Sequence, residues 1–84
     1  LSHCSFKDCS LKEADFTEAN LSKISLLNCD FHNAHFEHCD LSSSVWTDSH
    51  NIQIDPRLNQ IKGALFPKSQ LIGLLAVFGI KVED

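Results

Sequence analysis

Large apolar residues recur at every fifth position over the first half of this chain of 84 residues. Two positions before each of them the side chain is small, except at Ile24, and the remaining positions mostly hold Ser, Asp, Asn or His. The repeat is therefore small-x-large-x-x, and an internal period this regular must be interpreted before any other feature. The recurring large residues are Leu1, Phe6, Leu11, Phe16, Leu21, Leu26, Phe31, Phe36, Leu41 and Trp46.

A period of five fits neither an amphipathic helix nor a flat, alternating strand. It fits a short extended piece followed by a turn, because residues two apart in an extended piece point to the same side. Four such corners close a square, so 20 residues make one coil, and successive coils stack at about 4.8 Å. The pattern predicts an all-β solenoid in which each unit contacts only its neighbours.

Stacking at this period places residues 20 apart in common core columns. The pattern lapses after Trp46 but returns in phase at Ile61 and Phe66, which we add to the predicted core. We interpret residues 51–59 as a looser stretch that still spans two sides of the square, with a turn at Asp55-Pro56. At Ile24, a large residue in a small position, we expect a bulge or a shifted neighbour.

The end of the chain predicts a different element. Pro67 favours the first turn of a helix, the apolar spacing that follows is helical, and Gly79 can cap its end. Ile80 and Val82 alternate with charged residues as a short strand would. We expect residues 67–84 to cap the repeat domain of residues 1–66, or to pair two chains as a homodimer. The predicted cap and dimer residues are Leu71, Leu74, Leu75, Phe78, Ile80 and Val82.

The repeats, with 14–16 (Ala-Asp-Phe) and 19–21 (Ala-Asn-Leu) as the clearest copies, resemble the pentapeptide repeat proteins. That resemblance implies a right-handed, quadrilateral β-helix, here of about three coils, ended by a capping α-helix and short strand. A fold of this kind does not by itself imply an activity.

The tail shows a narrower resemblance, to the C-terminus of the quinolone-resistance Qnr proteins. That resemblance implies a paired rod that is like DNA in shape and charge and binds type II topoisomerases, DNA gyrase or topoisomerase IV. Qnr proteins are longer and carry projecting loops, and residues 1–50 contain no such insertion. The matching residues are Asp55-Pro56-Arg57, Ile61, Gly63, Gln70, Leu74-Leu75, Gly79-Ile80 and Val82.

The net charge of −4 is unevenly distributed, since residues 1–50 hold eight acids and three lysines, a balance of −5. An acidic surface argues against direct binding of nucleic acid and suits a protein partner that itself binds DNA. All five histidines lie in the repeats, so we expect this charge to soften as the pH falls. The candidate partner-binding residues are Asp8, Glu13, Asp15, Glu18, Asp30, Glu37, Asp40 and Asp48.

Residues with reactive side chains are better explained by the repeat. Cys4, Cys9, Cys29 and Cys39 occupy small inward positions, so we expect free thiols and a cytoplasmic location. His32, His35 and His38 fall on different edges or sides, so we predict no metal or cofactor site. No catalytic motif and no apolar stretch long enough to cross a membrane is present.

These features predict a non-enzymatic interaction protein, and three interpretations stay open. The first is a Qnr-like protein that binds gyrase and gives quinolone protection, which a continuous acidic stripe would favour. The second is a structural or assembly scaffold with another partner, which an exposed apolar patch away from the tail would favour. The third is a metal or redox binder that uses His and Cys.

Overall fold

The computed structural model of the protein describes residues 5–83 and is a stack of parallel backbone segments. Strand β1, Ser5–Lys7, pairs in parallel with strand β2, Ser25–Leu27, at an offset of 20 residues. The isolated bridges among residues 5–83, such as Asp15 with His35, have the same offset. The predicted 20-residue repeat is therefore confirmed, although only β1 and β2 reach the length of a strand. Leu1 and Cys4 lie outside the described residues.

Between residues 5 and 48, a left-handed residue ends each five-residue unit and turns the chain. At most of these turns the next amide closes the turn, as where the Ala19 N–H donates to the Phe16 carbonyl at 2.9 Å. The left-handed residue donates its own N–H to the following coil, as Glu18 does to Glu37 at 2.8 Å. Outside glycine this backbone conformation costs about 1 kcal/mol. These residues are Asp8, Glu13, Glu18, Lys23, Asn28, Asn33, His38, Ser43 and Asp48, with φ between 52° and 63°.

The turns divide each coil into four segments, which we call sides and number from residue 5. The same side of successive coils lies one above the other, because the pairing offset is 20 residues. The first side holds 5–8, 24–28, 44–48 and 64–67, the second 9–13, 29–33 and 49–53, the third 14–18, 34–38 and 54–58, and the fourth 19–23, 39–43 and 59–63.

The predicted columns fill the interior of this stack. Phe36 stacks on Phe16 with ring centres 5.0 Å apart, and Phe66 stacks on Trp46 at 5.3 Å. The Trp46 indole N–H donates to the Ser44 hydroxyl at 2.7 Å, so the one polar atom of this side chain is satisfied. Predicted core residues in the middle of the stack are buried, and those near its two ends are half-buried, namely Phe6, Leu11, Phe16, Ile61 and Phe66.

The expected bulge at Ile24 is wrong. The Ile24 side chain is fully buried, and the bridges on both sides of it, Ser5 with Ser25 and Ser25 with Val45, keep the offset of 20. A bulge would have added one residue to one partner of the ladder. The position above Ile24 holds the small Ser44, which leaves room for the larger side chain without a change of register.

The stretch that follows His50 departs from the repeat in a way that the sequence pattern missed. Asn51 takes a left-handed φ of 59°, and Ile52 and Ile54 then point into the core and are buried. They replace Asn51 and Pro56, which the period would have placed in the large positions. The pairing of Asp40 with Gln60 restores the offset of 20 residues, so the prediction that the register survives this stretch is confirmed.

The tail is a chain of short turns rather than one amphipathic helix. It comprises the 3₁₀ helix Lys68–Gln70, the four-residue helix α1, Ile72–Leu75, and the 3₁₀ helix Ala76–Phe78. Gly79 ends it with a left-handed φ of 67°, as expected. Residues 80–83 form no strand, so the predicted short strand is wrong.

The tail packs on the last coil through a close backbone contact. A Cβ at Gly73 would lie 1.8 Å from the Ile52 carbonyl oxygen, so only glycine fits. The Ile54 N–H donates to the Gly73 carbonyl at 3.3 Å, and the Ile52 N–H donates to Gln70 Oε1 at 3.2 Å. These bonds satisfy backbone groups that would otherwise stay unpaired at the end of the stack. Across residues 5–83, no helix has the length and hydrophobicity that a membrane crossing requires.

Candidate interaction surface

Aspartates on the outer surface of the coils mostly serve the fold. Asp15 Oδ1 accepts the Thr17 N–H at 2.9 Å and also the Thr17 hydroxyl, two residues farther along the chain. Asp40 makes the same pair of bonds to Ser42. The hydrogen bond from the Thr17 hydroxyl lowers the pKa of Asp15, and that from the Ser42 hydroxyl lowers the pKa of Asp40. These carboxylates brace the segment that follows them.

Asp30 has a similar structural role on the second side. It accepts the Asn51 Nδ2–H at 2.8 Å and the His32 N–H at 3.0 Å, and its other oxygen lies 3.6 Å from Lys12 Nζ. The bond from Asn51 is the main reason that the pKa of Asp30 is lowered. Asp30 therefore anchors the residue at which the chain leaves the repeat.

The glutamates of the repeats behave differently. Glu13, Glu18 and Glu37 are exposed, and no ion pair in the described part of the chain uses their carboxylates. Glu13 and Glu37 line one shallow groove on the third side, and Glu18 lines the neighbouring groove at its other edge. Because these carboxylates hold nothing in the fold, their charge is available to a partner.

One side of the stack carries the net charge of the chain. Five carboxylates and one guanidinium, that of Arg57, lie on the third side and its edges, which leaves −4 there, equal to the −4 of the whole chain. The other six acids are balanced by six lysines. We call this surface the acidic side, and its carboxylates are those of Glu13, Asp15, Glu18, Glu37 and Asp55.

An ion pair at the upper end of the acidic side joins it to the tail. Arg57 Nε lies 3.1 Å from Asp55 Oδ1, and Arg57 Nη2 lies 3.0 Å from Asp55 Oδ2. The guanidinium carbon of Arg57 lies 5.4 Å from the centre of the Phe78 ring, within the range of a cation–π contact. The bonds from Arg57 lower the pKa of Asp55. This cluster holds the end of the tail against the coil.

The structure brings together only part of the predicted acidic surface. Four of the eight predicted residues lie on the acidic side, and Asp55 joins them from the stretch that follows the regular repeats. Asp8 and Asp48 sit at a corner of the first side, where Asp8 accepts a bond from Asn28 at 2.8 Å. Asp30 and Asp40 belong to the second and fourth sides. The eight predicted residues therefore do not all lie on one side of the stack, and their binding of a partner stays a prediction.

The predicted tail surface also divides. Only Leu74 is buried, at 7% exposure, and Leu75 is half-buried. The other predicted cap residues are exposed because each short turn packs through backbone and Leu74 rather than through a continuous apolar stripe. The exposed predicted residues are Leu71, Phe78, Ile80 and Val82. Two residues that were not predicted, Ile72 at 59% exposure and Val77, are also exposed.

The cysteine and histidine side chains that the structure describes do not converge on a common centre. Cys29 and Cys39 are buried, and burial raises the pKa of both thiols, as expected of small core residues. Cys39 Sγ donates to the Phe16 carbonyl at 2.9 Å. Within residues 5–83, no group of three or more His, Cys, Asp or Glu side chains is placed to hold a metal ion.

Comparison with known families agrees with this geometry. A family described as "Pentapeptide repeat region" matches residues 1–74. The chain belongs to the pentapeptide repeat family. No curated protein matches it. The matched region covers the coils and the first part of the tail through Leu74. Membership of this family suggests a protein-interaction module.

Proposed function

We propose that this pentapeptide repeat protein is a non-enzymatic module that binds a protein partner through its acidic side. In this proposal the stack is a right-handed, four-sided β-helix of about three coils, which presents the acidic side as a rigid surface. The observation that carries the proposal is that this side holds the whole net charge of −4. Its three glutamates are not consumed by ion pairs in the described structure.

The partner that we propose is a type II topoisomerase, DNA gyrase or topoisomerase IV. Enzymes of this kind bind DNA through basic surfaces, and an acidic protein surface can compete for such a surface. The resemblance of the tail to Qnr proteins supports the same partner. In this proposal, binding to the topoisomerase gives the quinolone protection that the tail resemblance implies.

The residues that carry the tail resemblance have structural roles here. Arg57 pairs with Asp55 and contacts Phe78, and Gln70 accepts the Ile52 N–H. The resemblance therefore supports a similar way of docking the tail. The proposed binding surface is the acidic side, so the mutations that test a topoisomerase partner should be made there.

A supercoiling assay tests this proposal. DNA gyrase is titrated with the protein, with and without a quinolone, and the wild type is compared with the double variant Glu13→Gln/Glu37→Gln. Restored supercoiling in the presence of the drug, or inhibition without it, supports the proposal if the double variant has lost the effect. An equal effect of both proteins, or none from either, would reject it.

A second candidate function is a scaffold that assembles through apolar contacts, and the exposed residues of the tail favour it. Ile72 and Phe78 are about half exposed, and Leu65 on the first side is 59% exposed. Patches of this kind commonly mark interfaces. We propose that the tail pairs two chains, and Ile72→Lys should then reduce the mass measured by light scattering from two chains to one. An unchanged mass for the variant would rule out this contact.

A further inference from the structure

Two histidines lie among the carboxylates of the acidic side. His35 pairs with Asp15 across a parallel bridge, and the His35 N–H donates to the Ala14 carbonyl at 2.9 Å. His38 ends the same side of the same coil, and its N–H donates to the Leu58 carbonyl at 3.0 Å. Both imidazoles are exposed. The backbone ladder therefore fixes both histidines on the surface that carries the net charge.

The charged groups around the two histidines are mostly acidic. His35 shares its groove with Glu13, Glu37 and Asp55, and Asp15 lies on the coil below. The tail that packs above this groove contributes uncharged residues, Ala76 and Val77, beside Asp55.

His38 shares the neighbouring groove with Glu18 and Asp40. The one basic residue there is Arg57, which is held by Asp55. A proton on either imidazole would therefore be added next to carboxylates, on the surface where we place the partner.

We propose that His35 and His38 form a pH gate on the acidic side: their protonation inserts two positive charges among its carboxylates and weakens the binding of a basic partner. This inference rests on the proposed function, since it concerns the regulation of the same surface. Imidazole is the side chain that ordinarily gains its charge between about pH 5 and 8, whereas carboxylates generally stay ionised above about pH 5. Two added protons take the net charge of this side from −4 to about −2.

The expected size of the effect follows from exposed charge pairs. Each such pair contributes little on its own, and the loss of two of them corresponds to a decrease in affinity of about five-fold. The effect should grow at low salt, because screening at physiological ionic strength acts over about 8 Å. A five-fold change in affinity is measurable and is large enough to alter the fraction of the protein that is bound to its partner.

The test combines a direct readout of the imidazoles with a binding measurement. Two-dimensional NMR follows the ring signals of His35 and His38 between about pH 5 and 8. A fluorescent octalysine peptide serves as the basic probe, and its affinity is measured at low salt at about pH 8 and about pH 5.5. The wild type is compared with His35→Gln/His38→Gln and with a matched control, His32→Gln/His50→Gln, whose side chains lie on the second side.

We expect peptide affinity to fall about five-fold on acidification for the wild type and the control, but less than two-fold for His35→Gln/His38→Gln. The gate is refuted if His35 and His38 stay neutral down to about pH 5, or if all three proteins lose affinity equally. Binding of the peptide to Glu13→Gln/Glu37→Gln at about pH 8, where imidazoles are ordinarily neutral, tests the docking surface separately from the pH gate. If that variant binds the peptide as tightly as the wild type does, the acidic side is not the docking surface, and both the proposed function and the pH gate are rejected. If glutamate-dependent binding shows no change with pH, the gate alone is rejected.

Discussion

Replacement of Gly73 by alanine tests how the tail closes the stack. The new Cβ would lie 1.8 Å from the Ile52 carbonyl oxygen and 3.0 Å from the Ile52 carbonyl carbon. An ordinary carbon–oxygen contact is about 3.3 Å, so the tail has to move outward by about 1.5 Å. Neither atom belongs to a flexible side chain, which means that a rotamer change cannot relieve the clash.

The cost follows from what the movement breaks. Two backbone amides, those of Ile52 and Ile54, lose acceptors at 3.2 and 3.3 Å, at about 1 kcal/mol each. Partial withdrawal of Leu74 from the core adds about 1–2 kcal/mol. The change from glycine to alanine inside a helical turn returns about 1 kcal/mol. We therefore expect Gly73→Ala to lower the free energy of unfolding by about 2–3 kcal/mol, a large share of the stability of a small domain.

Urea unfolding followed by the fluorescence of Trp46, the only tryptophan, measures this loss. Gly79→Ala is the matched control, because no atom lies within 4 Å of its new Cβ and only its left-handed φ of 67° is strained. That control should lose about 1 kcal/mol. Hydrogen exchange should also show faster exchange of the Ile52 and Ile54 amides in Gly73→Ala. A stability within about 0.5 kcal/mol of the wild type would refute the close contact.

Three other predictions concern the coils. Phe36→Asp should abolish folding, because Phe36 is 4% exposed and the change puts a charge into the core column. We expect this change to lower the free energy of unfolding by more than about 5 kcal/mol. A strand-type circular dichroism spectrum of the variant would contradict this prediction. Lys23→Gly should raise the free energy of unfolding in urea by about 0.5–1 kcal/mol, because glycine adopts the φ of 62° at this position without strain. The control Lys62→Gly should lower the free energy of unfolding, because Lys62 has no positive φ. The reverse order of stability would refute the turn assignment. The pKa values of Asp30 and Asp40 are lowered from 3.8, so these carboxylates become protonated at a lower pH in the folded state than in the unfolded state. Stability should therefore hold above about pH 4.5 and fall as the pH drops through the folded values, and a thermal unfolding temperature that is unchanged down to pH 2 would contradict this.

The repeat was predictable because one physical rule acts at every position. A large residue every fifth place can be buried only if the chain turns at each unit, and the offset of 20 residues follows. The departure at Asn51 was not predictable from that rule, because a single left-handed residue shifts the inward positions to Ile52 and Ile54. The alternation of two isoleucines was the available signal, and the regular period concealed it.

The acidic surface was predicted in composition but not in arrangement. Charge alone does not separate aspartates that brace the backbone from glutamates that face solvent. The spacing could have done so, since Asp15 and Asp40 are each followed two residues later by a hydroxyl side chain that donates to them. Asp55 was missed because it lies in the irregular stretch, and its place on the acidic side follows from the restored stacking.

Binding to purified DNA gyrase is the measurement that tests the central claim most directly. Biolayer interferometry would compare the wild type with Glu13→Gln/Glu37→Gln and with a control of equal charge change, Asp48→Asn/Glu83→Gln, at two salt concentrations. We predict saturable binding by the wild type and the control, weakened about five-fold or more in the glutamate variant and by added salt. Equal affinity of all three proteins, or no binding by the wild type, would contradict the assignment of the acidic side as the docking surface for gyrase.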